Sequence, residues 1–329
     1  MLEYRLNEFN GPESLTLTEV PRPNPGPSQV LVKFHAVSLQ YRDLMVVNGK
    51  YPKPCNHRIP SGLAPCSDMA GEIVAVGSSV DPTQFSVGDR VCANFVTPEF
   101  VFGDLGAEID GVLTQFKVFE ADRLVRFPNH LSYREAATLP CAGLTAYSAL
   151  FGSVPVKRGD VVLVQGTSGV SIMALQLAVA AGAIVILTSS SDEKLTVGVK
   201  LGVQHTINYA RTPKVDEEVM KITDGKGADV VIDIGGPATL VQSVKACAFG
   251  GWVQLVGTMV HTAVDLEQLP ILAIMRHVCM RGVVIGGMHR FHEANKFIEA
   301  HGVHPYLDPR FRYLASQTHV GKVVIGVTG

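Results

Sequence analysis

Short apolar runs of β-forming residues, separated by polar turn-forming residues, fill the first third of the chain. The proline-rich segment PRPNPGP precedes the first run, and such punctuation is typical of strands joined by turns. The pattern predicts an antiparallel β domain. The predicted strands are Ser28 to His35, Gly71 to Val76, Asp89 to Ala93 and Thr114 to Phe119.

From about Ser132 onward, apolar strand runs alternate with helical patterns. Because parallel strands need a crossover connection, this alternation predicts an α/β fold with a doubly wound parallel sheet. The tail ends in GKVVIGV, a predicted final strand that could rejoin the β domain. We therefore expect a nucleotide-binding domain at 127–289 and a β domain formed by 1–126 and 290–329. The strand runs of the nucleotide-binding domain are VVLVQG, AIVILTS, HTINY, DVVIDIGG and WVQLVG.

A glycine-containing turn follows the first apolar strand of the predicted sheet. Val161 to Val164 form the strand, Gln165 to Val170 the turn, and Ser171 to Ala181 a helix. Such a turn aims free backbone N–H groups and the positive end of a helix dipole at a diphosphate. Two serines replace glycines of the strict GxGxxG pattern, so an ordinary strand-to-helix turn is the alternative. The predicted cofactor-binding residues of the turn are Gly166, Thr167, Ser168, Gly169 and Val170.

The next strand, AIVILTSSS, ends in serines where an NAD-binding protein would carry an acidic residue for the ribose. Ser189, Ser190 and Ser191 supply hydroxyl groups, and Lys194 supplies a cation. This set suits a 2′-phosphate and contains no carboxylate that would repel it, so the sequence favours NADP(H). The alternative is that the serines only cap the helix that begins near Asp192.

Composition narrows the class of protein. With 329 residues, of which 47% are hydrophobic, the chain is longer than one core usually grows, so two domains and an interdomain cleft are expected. A net charge of -2 gives no basic field for nucleic acid, which makes a small molecule the expected partner. Scattered cysteines without a CxxC pair, and no apolar leader, predict a reduced cytoplasmic protein. No apolar stretch has the roughly 20 residues that a membrane span needs.

Several collinear motifs together closely resemble the medium-chain dehydrogenase/reductase superfamily over nearly the whole chain. Within it, the chain is similar to the zinc-type alcohol dehydrogenase-like and quinone oxidoreductase-like branch. This resemblance implies a GroES-like β domain joined to a Rossmann domain that binds a nicotinamide cofactor. The motifs are LPCAGLTAYSAL, AVGSSVDPTQFSVGDRV, HVGKVVI, SLQYRDLMVVNGKYP, PCSDMAGEIVAVG and VQGTSGVSIMALQLA.

The resemblance also implies roles for single residues. Lys194 and Tyr209 match positions that hold the 2′-phosphate and the adenine side of NADPH. Thr145 lies in the motif that flanks the nicotinamide, and Gly257 is expected to line the nicotinamide pocket. Lys322 matches a basic position near the cofactor phosphates.

Zinc-dependent relatives hold their metal with a cysteine, a histidine and a second cysteine, which leaves one position open for substrate. In this chain Gln40 stands at the first cysteine position and Ser67 at the histidine position, so only Cys141 remains. Asp68 beside them makes a poor site with a single thiol. The four-cysteine structural zinc loop is also missing, since only Cys92 lies in that part of the chain. We therefore expect no metal.

Without a Lewis acid, the oxyanion that develops during the reaction must be stabilised by hydrogen bonds. Reduction of an activated C=C bond needs less of this stabilisation than interconversion of an unactivated alcohol does. Gln40 is the expected donor to the substrate carbonyl. Tyr41 is a second catalytic candidate, or its ring packs on the cofactor diphosphate. Arg42 either reaches a cofactor phosphate or substrate carbonyl, or it pairs with Asp43. Met45 occupies the place of a tyrosine found in zinc-free relatives, so no proton donor is assigned.

The favoured function is an NADPH-dependent reductase of an activated double bond or a quinone, in a family that includes tailoring enzymes of secondary metabolism. One alternative is an NADP-dependent alcohol or aldehyde dehydrogenase, and another is an NADPH-binding protein without turnover. A homodimer is implied by the resemblance. The strand-like stretch RGVVIGG, Arg281 to Gly287, lies where relatives pair their sheets.

Overall fold

The computed structural model describes residues 1–51, 59–95, 104–257, 266–309, 316 and 318–327. The chain divides into two compact units. The first unit comprises Met1–Leu144 and Ile285–Gly329, and the second comprises Thr145–Val284. No helix among the described residues is long and apolar enough to cross a membrane.

The first unit is built on antiparallel strands, as predicted. Its main sheet has the order β14-β3-β4-β5-β7, with β6 beside β3, while β1 and β2 pair separately. The tail strand β14 pairs with β3, which confirms that the C-terminus rejoins the β domain. The strands are β1 Leu2–Leu6, β2 Leu15–Glu19, β3 Gln29–Leu39, β4 Asp68–Val76, β5 Arg90–Ala93, β6 Phe116–Glu120, β7 Leu124–Arg126 and β14 Val323–Gly326.

Side chains along β3 point alternately to the two faces of the sheet, and those on one face form the core of this unit. Val30, Val32 and Phe34 lie on one face of the strand and are completely buried. They pack with Ile73 of β4 and Val91 of β5 in the same cluster. The helices of this unit are α1 Tyr41–Val47, α2 Tyr133–Ala136 and α9 Met288–His301, and a π-helical turn covers Leu139–Gly143.

Among the described residues, the second unit has six strands, all parallel, in the order β10-β9-β8-β11-β12-β13. Numbered within the unit this is 3-2-1-4-5-6, the order of dinucleotide-binding domains, and it confirms the predicted doubly wound fold. The strands are β8 Val161–Gln165, β9 Ile184–Ser189, β10 His205–Asn208, β11 Ala228–Asp233, β12 Cys247–Leu255 and β13 Cys279–Gly282. The helices are α4 Gly169–Ala180, α5 Asp192–Lys200, α6 Val215–Ile222, α7 Pro237–Ala246 and α8 Leu269–Arg276, with α3 Leu144–Phe151 at the division.

The order in which strands are added to the sheet changes side at β8: β9 and β10 lie on one side of it, and β11, β12 and β13 lie on the other. Ligands of open α/β sheets bind beyond the carboxyl ends of the strands at such a switch point. The loops after β8, β9 and β11 therefore form the candidate cofactor site.

The predicted strand over Arg281 to Gly287 is wrong in its extent. The observed strand β13 ends at Gly282. Ile285 adopts a φ of 47°, a left-handed conformation that an extended strand cannot contain. The second half of RGVVIGG therefore leaves the sheet.

Candidate active site

The glycine turn after β8 leaves backbone donors available at the start of α4. Gly166 has a φ of 70°, and a Cβ atom there would meet only the Ser171 hydroxyl, 3.9 Å away. Ser168 occupies the N-cap position of α4, but its side chain does not cap the helix. Its hydroxyl lies 2.9 Å from that of Ser171, which donates to the carbonyl of Gln165 at 2.7 Å. The first-turn N–H groups can therefore bind an anion, so the turn fits a cofactor diphosphate.

A buried polar network, not foreseen from the sequence, braces the loop after β11. The Asp233 carboxylate accepts hydrogen bonds from the Gly236 N–H at 2.7 Å, the Thr239 hydroxyl at 3.0 Å and the Ser243 hydroxyl at 2.6 Å. The Gln165 amide donates to Ser243 at 2.7 Å, which ties the network to the end of β8. Burial raises the pKa of Asp233. The two strands that flank the switch point are thus linked by side chains.

Gly257 lies just beyond β12, and its N–H donates to the carbonyl of Asp233 at 3.2 Å. A Cβ atom at Gly257 would sit 1.9 Å from the carbonyl oxygen of Ile234, so only glycine permits this approach. In the glycine turn, Thr167 is buried and Val170 is half-buried. These three predicted cofactor residues all lie at the carboxyl edge of the sheet.

The serines after β9 have different surroundings. Ser189 is buried and ends the strand, whereas Ser190 is exposed. Ser191 is the N-cap of α5 and accepts a hydrogen bond from the Lys194 N–H at 3.4 Å. Ser191 therefore fulfils the capping alternative, while Ser190 is exposed and Lys194 is half-buried.

A charged pair that sequence reasoning missed adjoins these serines. Arg211 donates two hydrogen bonds to the carboxylate of Asp192, both at 2.6 Å. The Asn208 amide donates to the same carboxylate at 2.8 Å. Tyr209 is largely exposed, and its N–H donates to the carbonyl of Ser189 at 3.0 Å. A spacing of 19 residues gives no sequence signal for such a pair.

In the first unit, Gln40 and Asp68 form the centre of a buried network. Gln40 immediately precedes α1, and its amide nitrogen donates to the Asp68 carboxylate. The Ser67 hydroxyl donates to Asp68 at 2.6 Å, and the Cys141 N–H donates at 3.1 Å. Burial raises the pKa of Asp68 to about 6. The structure thus brings together the four residues that stand at or beside the expected zinc-ligand positions.

Lys322 is buried in the same unit. Its ammonium group donates to the carbonyl of Leu39. Burial lowers the pKa of Lys322, while the attraction of Asp68 opposes this effect. Lys322, which the resemblance assigns to the cofactor phosphates, is thus a buried cation that Asp68 attracts. Its role toward a cofactor stays a prediction.

The residues at the zinc positions do not fit a zinc ion. Asp68 already accepts three hydrogen bonds, and Gln40 and Ser67 present donors to it. Cys141 is the one thiol at these positions, and a single thiol makes a poor zinc site. Within the described residues, no group of three or more histidine, cysteine, aspartate or glutamate side chains could hold a metal ion.

Arg42 forms the ion pair that was one of its two sequence interpretations. Its guanidinium lies 3.1 Å from the carboxylate of Asp43 and donates to the carbonyl of Leu105 at 3.0 Å. The rings of Tyr51 and Phe95 pack against it, with centroids 4.8 Å and 4.7 Å away. These contacts hold Arg42 in the first turn of α1, directly after Gln40.

The two remaining catalytic candidates differ in exposure. Tyr41 is 39% exposed and begins α1. Thr145 is buried in α3. A direct role of either residue in the reaction stays a prediction.

The second unit has a doubly wound sheet, with a glycine turn before a helix that no side chain caps, and the first unit is an antiparallel β unit. This combination is typical of nicotinamide-dependent dehydrogenases and reductases. The chain matches the zinc-binding dehydrogenase family over residues 169–300 and the alcohol dehydrogenase GroES-like domain over residues 26–129. It belongs to the medium-chain dehydrogenase/reductase superfamily, in the zinc-type alcohol dehydrogenase-like and quinone oxidoreductase-like branch. The chain is therefore an oxidoreductase of this superfamily.

Three similar proteins illustrate the range of the branch. A zinc-type alcohol dehydrogenase-like protein of Schizosaccharomyces pombe is 42% identical over 94% of this chain and 93% of its own. A quinone oxidoreductase of Pseudomonas aeruginosa is 34% identical over 73% of this chain and 68% of its own. A mycobacterial protein solved in complex with NADPH is 26% identical, with a TM-score of 0.79, and covers 98% of this chain and 99% of its own.

Proposed function

We propose that the protein is an NADPH-dependent, zinc-independent reductase of an activated carbon–carbon double bond or a quinone. The observation that carries this proposal is the closed network of Gln40, Ser67, Asp68 and Cys141. These side chains and backbone groups bind one another, whereas a metal site would direct its donor atoms to one empty point.

Reduction of an enone or quinone suits such a site. Polarisation of an alcohol or a simple ketone relies on a strong electrophile, while an electron-poor carbon accepts a hydride with hydrogen-bond assistance alone. Gln40 has one amide N–H bound to Asp68, and its second N–H is the donor we assign to the substrate oxygen. The similarity to a quinone oxidoreductase supports the same reaction class.

We infer that the cofactor is NADP(H), which supplies the hydride when bound. The glycine turn provides N–H groups for the diphosphate, and Ser190, Lys194 and Tyr209 are the proposed partners of the 2′-phosphate side. The NADPH complex of a similar mycobacterial protein supports this choice. The homodimer, the cytoplasmic location and a role in secondary metabolism stay predictions from the sequence.

We assign cofactor binding and the catalytic side chains to different segments of the chain. We propose 127–289 as the cofactor-binding domain, because the glycine turn and the serine segment both lie in that range. Within it, residues up to Leu144 and from Ile285 onward belong to the first compact unit. The remaining segments, 1–126 and 290–329, would carry the catalytic side chains of the β unit. Thr145 and Gly257 are assigned to the nicotinamide side and Lys322 to the phosphate side only by the resemblance.

The decisive experiment measures NADPH oxidation with quinones, enones, aldehydes and ketones, before and after dialysis against a zinc chelator. Turnover of an enone or quinone that survives the chelator is the expected result. Activity that disappears with the metal would contradict the assignment of Gln40 and Asp68. Oxidation of alcohols with NADP⁺ would instead indicate an alcohol dehydrogenase, and tight NADPH binding without turnover would indicate a binding protein.

A further inference from the structure

The exposed ion pair between Arg211 and Asp192 lies beside the serine segment that follows β9. The Nη1 and Nη2 groups of the guanidinium each donate to one carboxylate oxygen at 2.6 Å, and the side chains are 68% and 57% exposed. Exposed ion pairs contribute little to folding stability. Its effect on folding stability is therefore small, whereas it does change the charge of this surface.

Asp192 lies at the carboxyl edge of the sheet. It is the first residue of α5 and follows Ser189, the last residue of β9, by three positions. Asn208, the last residue of β10, pairs with Ser189 in the sheet and donates to the Asp192 carboxylate at 2.8 Å. The carboxylate therefore adjoins the segment that we propose for the 2′-phosphate.

A carboxylate without a cationic partner at this edge would weaken the binding of NADPH. It would repel a phosphate carrying nearly two negative charges and would accept hydrogen bonds from the ribose hydroxyl of NADH. In this chain Arg211 and Asn208 occupy both carboxylate oxygens. The guanidinium also cancels the charge, since an arginine is always protonated.

We propose that Arg211 is a cofactor-specificity residue: by holding and neutralising Asp192, it admits a 2′-phosphorylated adenosine and withdraws the acceptor that a ribose hydroxyl would use. The proposal rests on NADPH as the cofactor of the proposed function. It assigns the selectivity to a charge pair beside the phosphate-binding groups, in addition to Ser190 and Lys194.

The test measures binding rather than turnover. Isothermal titration calorimetry with 2′,5′-ADP and with 5′-AMP is applied to the full-length wild-type protein and to the Arg211→Ala, Asp192→Asn and double variants. Arg211→Ala leaves the Asp192 charge uncompensated. Affinity for 2′,5′-ADP should then fall about tenfold at low salt, which is the effect expected for two charges some ångströms apart in water. Affinity for 5′-AMP, which lacks the 2′-phosphate, should not fall. Asp192→Asn leaves the Arg211 charge uncompensated, so its affinity for 2′,5′-ADP does not fall, and the double variant regains most of the affinity that Arg211→Ala loses.

Other outcomes distinguish a failure of the Arg211 proposal from a failure of the proposed NADPH preference. If Arg211→Ala binds 2′,5′-ADP as tightly as wild type does, the proposal is wrong although NADPH preference stands. If the double variant stays as weak as Arg211→Ala, Arg211 contacts the phosphate itself and neutralisation is not its role. A wild type that binds both nucleotides equally would overturn NADPH preference and the specificity role together. Lys214→Ala, which removes the exposed pair with Glu217, is the matched control and is expected to change neither affinity.

Discussion

The side-chain amide of Gln40 donates a hydrogen bond to the carboxylate of Asp68, and the two residues are 7% and 0% exposed. Ser67 and the Cys141 N–H donate to the same carboxylate. Held by three hydrogen bonds, the Asp68 carboxylate keeps the Gln40 amide in one orientation. A donor fixed in this way needs no reorganisation when charge develops on a substrate oxygen.

The first prediction concerns Gln40→Ala. Loss of a preorganised oxyanion donor typically costs roughly 100-fold in turnover. We expect a decrease of that order in kcat with an enone or quinone, with little change in the dissociation constant of NADPH, because Gln40 lies outside the glycine turn and the serine segment. Steady-state kinetics and calorimetry measure the two quantities.

A matched control is Gln29→Ala, which removes an exposed amide that donates to Glu120. It is expected to leave kcat unchanged. A Gln40→Ala enzyme with wild-type turnover and an unchanged melting temperature would transfer the oxyanion role to another residue.

The second prediction follows from the ionisation of Asp68. Because burial raises its pKa to about 6, the carboxylate that orients Gln40 is lost as the pH falls through that value. Turnover should therefore decrease below about pH 6. Asp68→Asn removes the ionisable group, so its kcat should be lower and should lack this acid limb. An Asp68→Asn profile that kept the limb would assign it to another group.

The same pKa determines the sign of the effect of pH on stability. The folded-state pKa of Asp68 lies above the usual value of 3.8, so the folded protein binds this proton more tightly than the unfolded chain does. The stabilising contribution of the proton is complete below about pH 4 and is lost as the pH rises through about 6. Chemical denaturation of wild type and Asp68→Asn at several pH values should show this decrease in the wild type alone.

The sequence was sufficient to locate the glycine turn because its signals are local. An apolar strand, a positive-φ glycine at Gly166 and a helical pattern follow one another within about 20 residues. The serine segment was found in the same way, since its position is fixed by the end of β9. Both lie at the carboxyl edge of the sheet in the structure.

Contacts between distant segments were not accessible to such reasoning. Arg211 meets Asp192 only because β9 and β10 are neighbours in the sheet, and Lys322 reaches Leu39 across 283 residues. The overextended strand after Gly282 has a different cause. Its β-branched residues favour a strand, but Ile285 turns left-handed, which propensity alone does not foresee.

The fourth prediction tests the assignment of the 2′-phosphate to the start of α5. Lys194→Ala should raise the KM for NADPH about 10- to 100-fold, the loss expected for one charge-assisted hydrogen bond, and should affect NADH much less. Lys200→Ala is the control, since Lys200 is exposed in the last turn of the same helix. Equal effects of Lys194→Ala on both cofactors would show that the phosphate binds elsewhere.

The last prediction concerns the close approach of two loops at the carboxyl edge of the sheet. A Cβ atom at Gly257 would lie 1.9 Å from the Ile234 carbonyl oxygen, so Gly257→Ala must displace the loop after β11 or the end of β12. We expect a loss of about 1–3 kcal/mol in unfolding free energy, as for other overpacking substitutions, together with weaker NADPH binding. Gly282→Ala is the control, because a Cβ atom there meets nothing within 4 Å. If the two variants were equally stable and bound NADPH equally well, the backbone at Gly257 would not require glycine, and its place in the cofactor site would have to be abandoned.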